Sequence, residues 1–533
     1  MTTDLRAAVR QWLAHDPDPG AAAELAACSE AELADRFAGP LTFGTAGLRG
    51  PLRAGPHGMN LAVVLRATWA VAHVLGERGH GGARVVVGYD ARHRSAEFGR
   101  AAAEVFAAQG FSVDLMFTAV PTPVVAFAVR STGAAAGVQI TASHNPPTDN
   151  GYKVYFPGGM QIISPVDDEI EAAIAAAPPA DQIGRSPVQP SGAEQLRAYL
   201  ERAAGVRRGI GSLRVALTPM HGVGGQYALD ALALAGIADV HVVESQFAPD
   251  PDFPTVAFPN PEEPGATDAL LSLAADVEAD LAVALDPDAD RCAIAVPTPS
   301  GWRMLSGDET GWLLGDHVLG SVDASAAVVA STVVSSRMLA GIATAHGARH
   351  VETLTGFKWL ARADEGLDRT LVYAYEEAIG HCVDPAAVRD KDGISAAVLA
   401  CDLVSALRAR GSSVLDALDE LARRHGVHVT DAVTRRVESP SAAARLLDQL
   451  RVNPPTVLAG FPVATDDLAP RTDALVFSGG SGPTTVRVVV RPSGTEPKLK
   501  CYLEVRCDGD LRAARERAAD LLAVLTAEVR ALA

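Results

Sequence analysis

Three carboxylates stand at alternate positions in Asp286-Pro287-Asp288-Ala289-Asp290, directly after the apolar run Leu281–Leu285 and directly before Arg291. Clustered anions repel one another unless something positive sits among them. A hard divalent cation with oxygen ligands, Mg²⁺ first, answers that need. An acidic surface turn is the plainer reading of the same residues. An EF-hand loop does not fit: counting from Asp286, the sixth position is Arg291 rather than glycine and the twelfth is Pro297 rather than glutamate.

Ser143 lies in Thr141-Ala142-Ser143-His144-Asn145-Pro146, ahead of Asn150-Gly151-Tyr152-Lys153. A serine among Thr, His and Asn, with Pro ending the local structure, is a candidate nucleophile on an exposed loop. Ordinary turns collect the same residue types. A serine hydrolase fits poorly. There is no Gly-x-Ser-x-Gly elbow, and Ser143 beside His144 does not make a base, because triads are assembled in space.

Arg491-Pro492-Ser493-Gly494-Thr495-Glu496-Pro497-Lys498 offers an arginine, two hydroxyls and a glycine that frees backbone amides. These are the materials of a phosphate clamp. They are also a good hairpin turn, but the flanking cations in an acidic chain favour the anion site. Phe43-Gly44-Thr45-Ala46-Gly47-Leu48-Arg49-Gly50 adds three glycines and a cation, and no Walker-type Gly-Lys-Ser/Thr ending exists anywhere. His221-Gly222-Val223-Gly224-Gly225 follows a strand like a dinucleotide turn, but Tyr227 stands where the final glycine belongs. Glu376 and Glu377, at the end of the apolar strand Thr370–Tyr373, suit recognition of sugar hydroxyls or are a solvated acidic turn. Lys391, between Asp390 and Asp392, is a candidate for proton transfer or a surface ion-pair partner.

These loops need elements to hold them. Val85–Gly88 and Phe111–Phe117, Leu213–Leu217 and the run ending Val240–Val243, and Ala326–Ala330 and Arg349–Leu354 are three strand pairs. Each pair is joined by an alanine-rich helical stretch and a Gly-containing turn, the unit that builds a parallel sheet. The repetition predicts three related α/β domains. A Pro/Gly/Ser-rich stretch from Ala177 to Gly192 reads as a linker, with further boundaries near Val296–Gly301 and between His425 and Arg436. The last hundred residues carry the strands Thr485–Val490 and Leu499–Val505 and a helix from Leu511, predicting a small α+β domain with antiparallel strands. The divisions are then 1–190 with the Ser143 loop, 191–300 with the aspartate loop, 301–430 with the Glu376 segment and 431–533 with the Arg491 loop.

At 533 residues the chain is too long for one core. A formal charge of −18 argues against nucleic-acid and membrane-surface partners, and requires that an anionic substrate be held by local basic clusters. No secretory signal or bilayer-spanning apolar run is visible. The six scattered cysteines, without a Cys-x-x-Cys pair, predict free thiols in a reducing cytoplasm.

Taken together and in this order, six segments resemble the α-D-phosphohexomutase family of phosphoglucomutases and phosphomannomutases. They are Phe43–Gly50, Thr141–Pro146 with Asn150–Lys153, Asp286–Arg291, Thr355-Gly356-Phe357-Lys358, Glu376–Gly380 and Arg491–Lys498. The resemblance spans nearly the whole chain. It implies four domains around a central cleft, three similar mixed α/β domains and a smaller C-terminal α+β domain. It implies a phosphoserine at Ser143, with Mg²⁺ held by Asp286, Asp288, Asp290 and the Ser143 phosphate. Arg49, Arg291 and Lys153 are implied as active-site cations, and His144 as part of the catalytic loop. Thr355, Lys358 and Glu376 are implied as sugar contacts, Lys391 as a general acid/base, and Arg491, Ser493, Gly494 and Thr495 as the distal phosphate clamp.

The implied activity is interconversion of hexose 1-phosphate and hexose 6-phosphate through a sugar bisphosphate, with a sugar 1,6-bisphosphate as primer, in a cytoplasmic monomer or homodimer. Many hexomutases have Glu-x-Ser where this chain has Glu376-Glu377-Ala378, and loss of a hydroxyl that reads the sugar shifts substrate choice. The Tyr-Glu-Glu-Ala-Ile-Gly version resembles a subfamily that includes phosphopentomutases and sugar-bisphosphate synthases, so interconversion of (deoxy)ribose 1-phosphate and 5-phosphate is the alternative. A phosphosugar binder without transfer is a further alternative, opposed by the joint presence of Ser143, three aspartates and Lys391.

Overall fold

The repeating strand–helix pattern folds as the periodicity predicts, with strand ends that match the apolar runs to within a residue or two. A computed structural model describes residues 3–42, 47–493 and 498–532. The chain divides into two units, Met1–Leu305 with Gly380–Ser405, and Ser306–Ile379 with Ala406–Ala533.

The first unit holds two sheets. In one, Arg84–Tyr89 is flanked in parallel by Ser112–Met116 and Ala136–Ile140. Beyond Ala136–Ile140 lie two antiparallel neighbours, Asp149–Phe156 and then Gly47–Pro51. In the other sheet, Leu281–Leu285 pairs in parallel with Arg214–Thr218 and antiparallel with Cys292–Thr298. Every residue of Leu281–Leu285 is buried. A parallel strand covered on both faces is apolar throughout for this reason. Both candidate catalytic loops leave from the carboxyl ends of such strands, Ala136–Ile140 and Leu281–Leu285, the end at which open α/β sheets place their ligands.

The stretch from Ala177 to Gly192, read as a linker from its composition, is anchored to the first sheet. Ala180 and Ile183 are buried, Ser186 N–H donates to Glu104 O, and Pro190–Ser191 pairs in parallel with Ser112–Met116. Apolar anchors and backbone pairing override the Pro/Gly content. Ahead of the first sheet, helices Thr3–Leu13, Ala21–Ala26 and Glu30–Arg36 share a small core of Leu5, Val9, Trp12, Leu25, Leu33 and Phe37. Ser29 and Glu32 form a capping box that starts the third of these helices.

In the second unit, Ala327–Thr332 pairs in parallel with Arg349–Thr353 and Thr370–Glu376. A separate antiparallel sheet runs in the order Val427–Arg436, Lys498–Cys507, Thr484–Pro492, Leu475–Ser481, Phe461–Asp467 and Val457–Leu458. The closing helix Leu511–Leu532 buries Ala514, Ala518, Leu525 and Val529 in the same core as strand residues Val486, Val488, Leu503 and Val505. Among the described residues no helix is long and apolar enough to cross a membrane. The described cysteines are all free.

Candidate active site

The aspartate loop turns back immediately after its strand. Ala289 adopts a left-handed backbone (φ 53°), and its N–H donates to Asp286 O at 2.8 Å. Asp286, Asp288 and Asp290 are each no more than 1% exposed, and their carboxylate oxygens come within 4.8 Å of one another. Two glycines from remote segments make room for the loop. A Cβ on Gly222 would lie 2.3 Å from Pro287 Cα, and one on Gly393 would lie 2.5 Å from Arg291 O. The His221–Gly225 segment, which has the look of a dinucleotide turn, therefore packs under this loop, with Val223 N–H donating to Pro287 O.

Ser143 meets this loop directly. Its hydroxyl donates to Asp286 Oδ2 at 2.6 Å and lies 3.2 Å from His144 Nδ1. Its backbone is left-handed (φ 53°), a strained choice for a residue with a Cβ, and its N–H donates to Thr141 Oγ1. The expectation of an exposed nucleophile is corrected here: Ser143 is 3% exposed, because the aspartate loop and its neighbours close over it. His144, despite being its sequence neighbour, does reach the hydroxyl. Burial and the charges of Arg291 and Arg49 hold this imidazole well below the usual histidine range, so it is neutral.

Cations surround the three aspartates. Lys153 Nζ donates to Asp288 Oδ2 at 2.6 Å and to Asp290 Oδ2 at 2.8 Å. Lys391 Nζ stands 3.3 Å from Asp290 Oδ2 and 3.5 Å from Asp390 Oδ1. Arg291 N–H donates to Asp286 Oδ1, and its guanidinium lies 3.9 Å from Asp290. Arg49, on strand Gly47–Pro51, donates to Asn145 Oδ1 in the Ser143 loop. Burial pushes the Asp286 carboxyl well above the usual carboxylate range, reinforced by the charges of Asp288 and Asp290. Burial acts in the same sense on Asp288, but the Lys153 charge and hydrogen bond outweigh it and leave that carboxyl low. For Lys153, burial works against the ammonium, but the two carboxylates prevail and its pKa is raised.

The donor set suits a hard divalent cation. All three side chains are oxygen donors, and Lys153 occupies the Oδ2 atoms of Asp288 and Asp290. Their Oδ1 atoms are buried without a hydrogen-bond partner among the described residues. An orphaned buried carboxylate oxygen is costly unless a cation or a proton completes it.

Several contributors carry no motif that marks them. Thr122 hydroxyl and N–H both bond Asp288. Tyr155 O–H and Gln161 Nε2 donate to Asp390, the acid beside Lys391. Asp392, on the other side of Lys391, turns instead to Tyr199 and to the amides of Ile394 and Ser395, capping the helix Gly393–Ala409. Arg92 is buried beneath the Ser143 loop. The one sequence signal for it is Asp90-Ala91-Arg92 directly after the strand Arg84–Tyr89, an acid–cation pair at a strand end like that of the aspartate loop.

The remaining candidates belong to the second unit. Glu376 ends strand Thr370–Glu376. Glu377 accepts from Ser335 Oγ at 2.7 Å and Thr332 Oγ1 at 3.1 Å. Thr355 and Lys358 are half-buried around the start of the short helix Phe357–Leu360, with Lys358 Nζ 5.9 Å from the Trp359 ring centre. Arg491 lies near the end of strand Thr484–Pro492 opposite Lys500 and hydrogen-bonds Tyr502, and Ser493 N–H donates to Lys498 O. Gly494 and Thr495 lie outside the described residues.

Comparison with known proteins decides what this arrangement belongs to. Residues 40–180, 197–301 and 306–425 match the phosphoglucomutase/phosphomannomutase alpha/beta/alpha domains I, II and III, and 436–521 match the C-terminal domain. A probable phosphomannomutase from Haemophilus influenzae is 40% identical over 465 residues, 84% of this chain and 93% of that protein. The chain belongs to the phosphoglucomutase/phosphomannomutase family. Other relatives in this family include a probable phosphoribomutase of Schizosaccharomyces pombe, 34% identical with 94% of each chain covered. A crystal structure of a putative phosphomannomutase from Thermus thermophilus superposes with a TM-score of 0.69 at 25% identity, covering 91% of this chain and 99% of that one. As a family member the chain is a phosphosugar mutase, an isomerase that works as an intramolecular phosphotransferase.

Proposed function

We propose that the chain interconverts hexose 1-phosphate and hexose 6-phosphate of mannose or glucose, with Ser143 as the phosphoryl carrier. The observation behind this reading is the 2.6 Å hydrogen bond between Ser143 and Asp286, residues 143 positions apart in sequence. It sets a nucleophile against a cation site. Phosphoryl transfer asks mainly for alignment and charge neutralisation.

In the forward step the Oγ–P bond of phosphorylated Ser143 breaks and an O–P bond forms to the free hydroxyl of a bound sugar monophosphate. Lys391, in its neutral amine form, takes the hydroxyl proton at Nζ, and the departing Ser143 Oγ recovers a proton along its hydrogen bond to Asp286. The resulting sugar bisphosphate reorients, and its other phosphate passes back to Ser143 Oγ while the proton returns to the sugar oxygen. Lys153, Arg49 and Arg291 balance the charge of the transferring group, and His144, as a neutral partner, orients Oγ. Asp286, Asp288 and Asp290 would hold Mg²⁺, which withdraws charge from the phosphoryl oxygens when bound. Arg491 and Ser493, with Gly494 and Thr495, grip the distal phosphate, while Thr355, Lys358 and Glu376 read the sugar. A sugar 1,6-bisphosphate primes the serine.

One observation favours a second reading. Ala378 follows Glu376-Glu377 where many hexomutases carry serine, and a mouse relative named phosphopentomutase is 34% identical over 93% of this chain. A panel of hexose and pentose 1-phosphates with Mg²⁺ and bisphosphate primer separates the two. Faster turnover of mannose or glucose 1-phosphate is expected, and negligible hexose turnover beside ribose 1-phosphate would overturn the hexose assignment. Intact-mass measurement tests the carrier: one added phosphoryl group after priming, absent in Ser143→Ala, is expected. An unmodified wild-type protein would reject Ser143 as carrier.

A further inference from the structure

The Ser143 loop is tied down by a residue outside the reacting groups. Arg92 Nη2 donates to Ser143 O at 2.5 Å and Asn145 O at 2.6 Å, and Nη1 donates to Pro146 O at 2.8 Å and Asp149 O at 3.2 Å. Four carbonyls of one loop thus converge on one planar guanidinium, whose fork presents donors in fixed directions that an ammonium cannot match. The side chain is 1% exposed. Behind it, Asp90 lies 3.5 Å from Nε, and on another side Arg92 sits 5.0 Å from the ring centre of Phe253, itself left-handed (φ 47°) and buried. The turn that carries Arg92 is in turn bonded to the far end of the same loop. Asn150 Nδ2 donates to His93 O and to Ser95 Oγ, each at 2.9 Å.

This arrangement is more than packing requires. A loop satisfied only by solvent would leave its carbonyls free to rotate, and Ser143 would relax from the left-handed backbone that aims Oγ at Asp286. Such a residue must hold that backbone in two charge states, because Ser143 alternates between a hydroxyl and a phosphorylated form in every turnover. A buried cation bonded to the Ser143 carbonyl favours both the geometry and the added negative charge.

We infer that Arg92 is a positioning residue for phosphoryl transfer, fixing the Ser143 loop so that the phosphoryl group is delivered to sugar rather than to water. The inference rests on Ser143 being the phosphoryl carrier.

Arg92→Lys and Arg92→Ala are compared with the wild type by intact mass, steady-state kinetics and the ratio of phosphoenzyme hydrolysis to transfer. The folded variants are expected to lose about 10²-fold in kcat, on the scale of a 1 Å misplacement. KM should change by less than about threefold, with a raised hydrolysis-to-transfer ratio, and guanidinium ion should partly restore Arg92→Ala. Folded variants with wild-type kcat and hydrolysis ratio, or a loss confined to thermal stability, would overturn the inference. If neither variant folds, Asp90→Asn keeps the size of the side chain but removes the anion 3.5 Å from Arg92 Nε that holds the guanidinium in place. A several-fold fall in kcat at constant KM supports the role and an unchanged kcat rejects it. A wild-type protein that never carries phosphate on Ser143 defeats the carrier reading instead, so the two failures are told apart.

Discussion

The two units hold most of their candidate residues differently. In the first, Ser143, Lys153, Asp286, Asp288 and Asp290 are buried and bonded to one another, so each side chain's position is dictated by the rest. In the second, Glu376 is buried at the end of its strand, while Thr355, Lys358, Arg491 and Ser493 are half-buried at or near the ends of strands or a short helix. Transfer chemistry gains from groups that need no reorganisation at the moment of reaction. Recognition of a substrate that turns around between steps needs contacts that form and release. The contrast teaches that a substitution in the first unit should act on kcat and one in the second on KM.

The largest expected effect breaks the first unit outright. Ser143→Ala should lower turnover by about 10⁴-fold or more, as removing a nucleophile does; coupled assay of the isomerised sugar phosphate checks it, and residual activity near wild type would refute the role. Next, Asp288→Asn keeps the size of the side chain but removes one anion from the aspartate cluster proposed to hold Mg²⁺. A fall of about 10² to 10³ in kcat is expected with a much smaller change in KM. Initial-rate measurements across Mg²⁺ concentrations test it, and an unchanged kcat would contradict the metal assignment.

In the second unit the balance should invert. Arg491→Ala removes a charged hydrogen-bond donor and should raise KM about 10- to 100-fold, leaving kcat nearer its wild-type value. A loss confined to kcat would erase the contrast between the units.

A smaller effect probes stability. Asp308, beginning the helix Gly307–Leu319, accepts from Ser336 N–H and Tyr375 O–H at 2.8 Å each, and burial pushes its carboxyl up to about 7. The folded pKa lies above the unfolded one, so the protonated carboxyl's contribution is fully present below about pH 4 and is lost as pH rises towards 7. The loss is at most about 4 kcal/mol. Asp308→Asn, which keeps the accepting oxygen, should flatten this part of the stability–pH curve. Urea denaturation at pH 5 and pH 8 checks it: an equally steep curve in the variant would exclude Asp308 as the source.

Asp308 also shows where sequence reading stops. Nothing local distinguishes it from an ordinary first-turn acid of a capped helix; its raised pKa comes from burial against a strand residue 67 positions away. Arg92 is similar, an unremarked cation until the loop carbonyls are seen to converge on it. By contrast, the Asp286–Asp290 loop, the Ser143 segment and the three strand pairs were legible because spacing and apolar runs are local quantities. The anchoring of the Ala177–Gly192 stretch was not legible for the complementary reason. Its turn-forming composition is local, whereas burial of Ile183 and the pairing of Pro190–Ser191 are not.

The amino-acid order by itself determined the mixed α/β class, the family and which loops carry charge and hydroxyls, since these follow from periodicity and from residue types at short spacing. Only the tertiary structure decided that Ser143 is buried on Asp286, that Lys153 bridges Asp288 and Asp290, that Glu377 accepts from Ser335 and that Arg92 grips the loop. These are contacts between segments distant in the chain. Their distances are set by strand pairing and by glycines that admit a neighbouring backbone, and no local pattern encodes either.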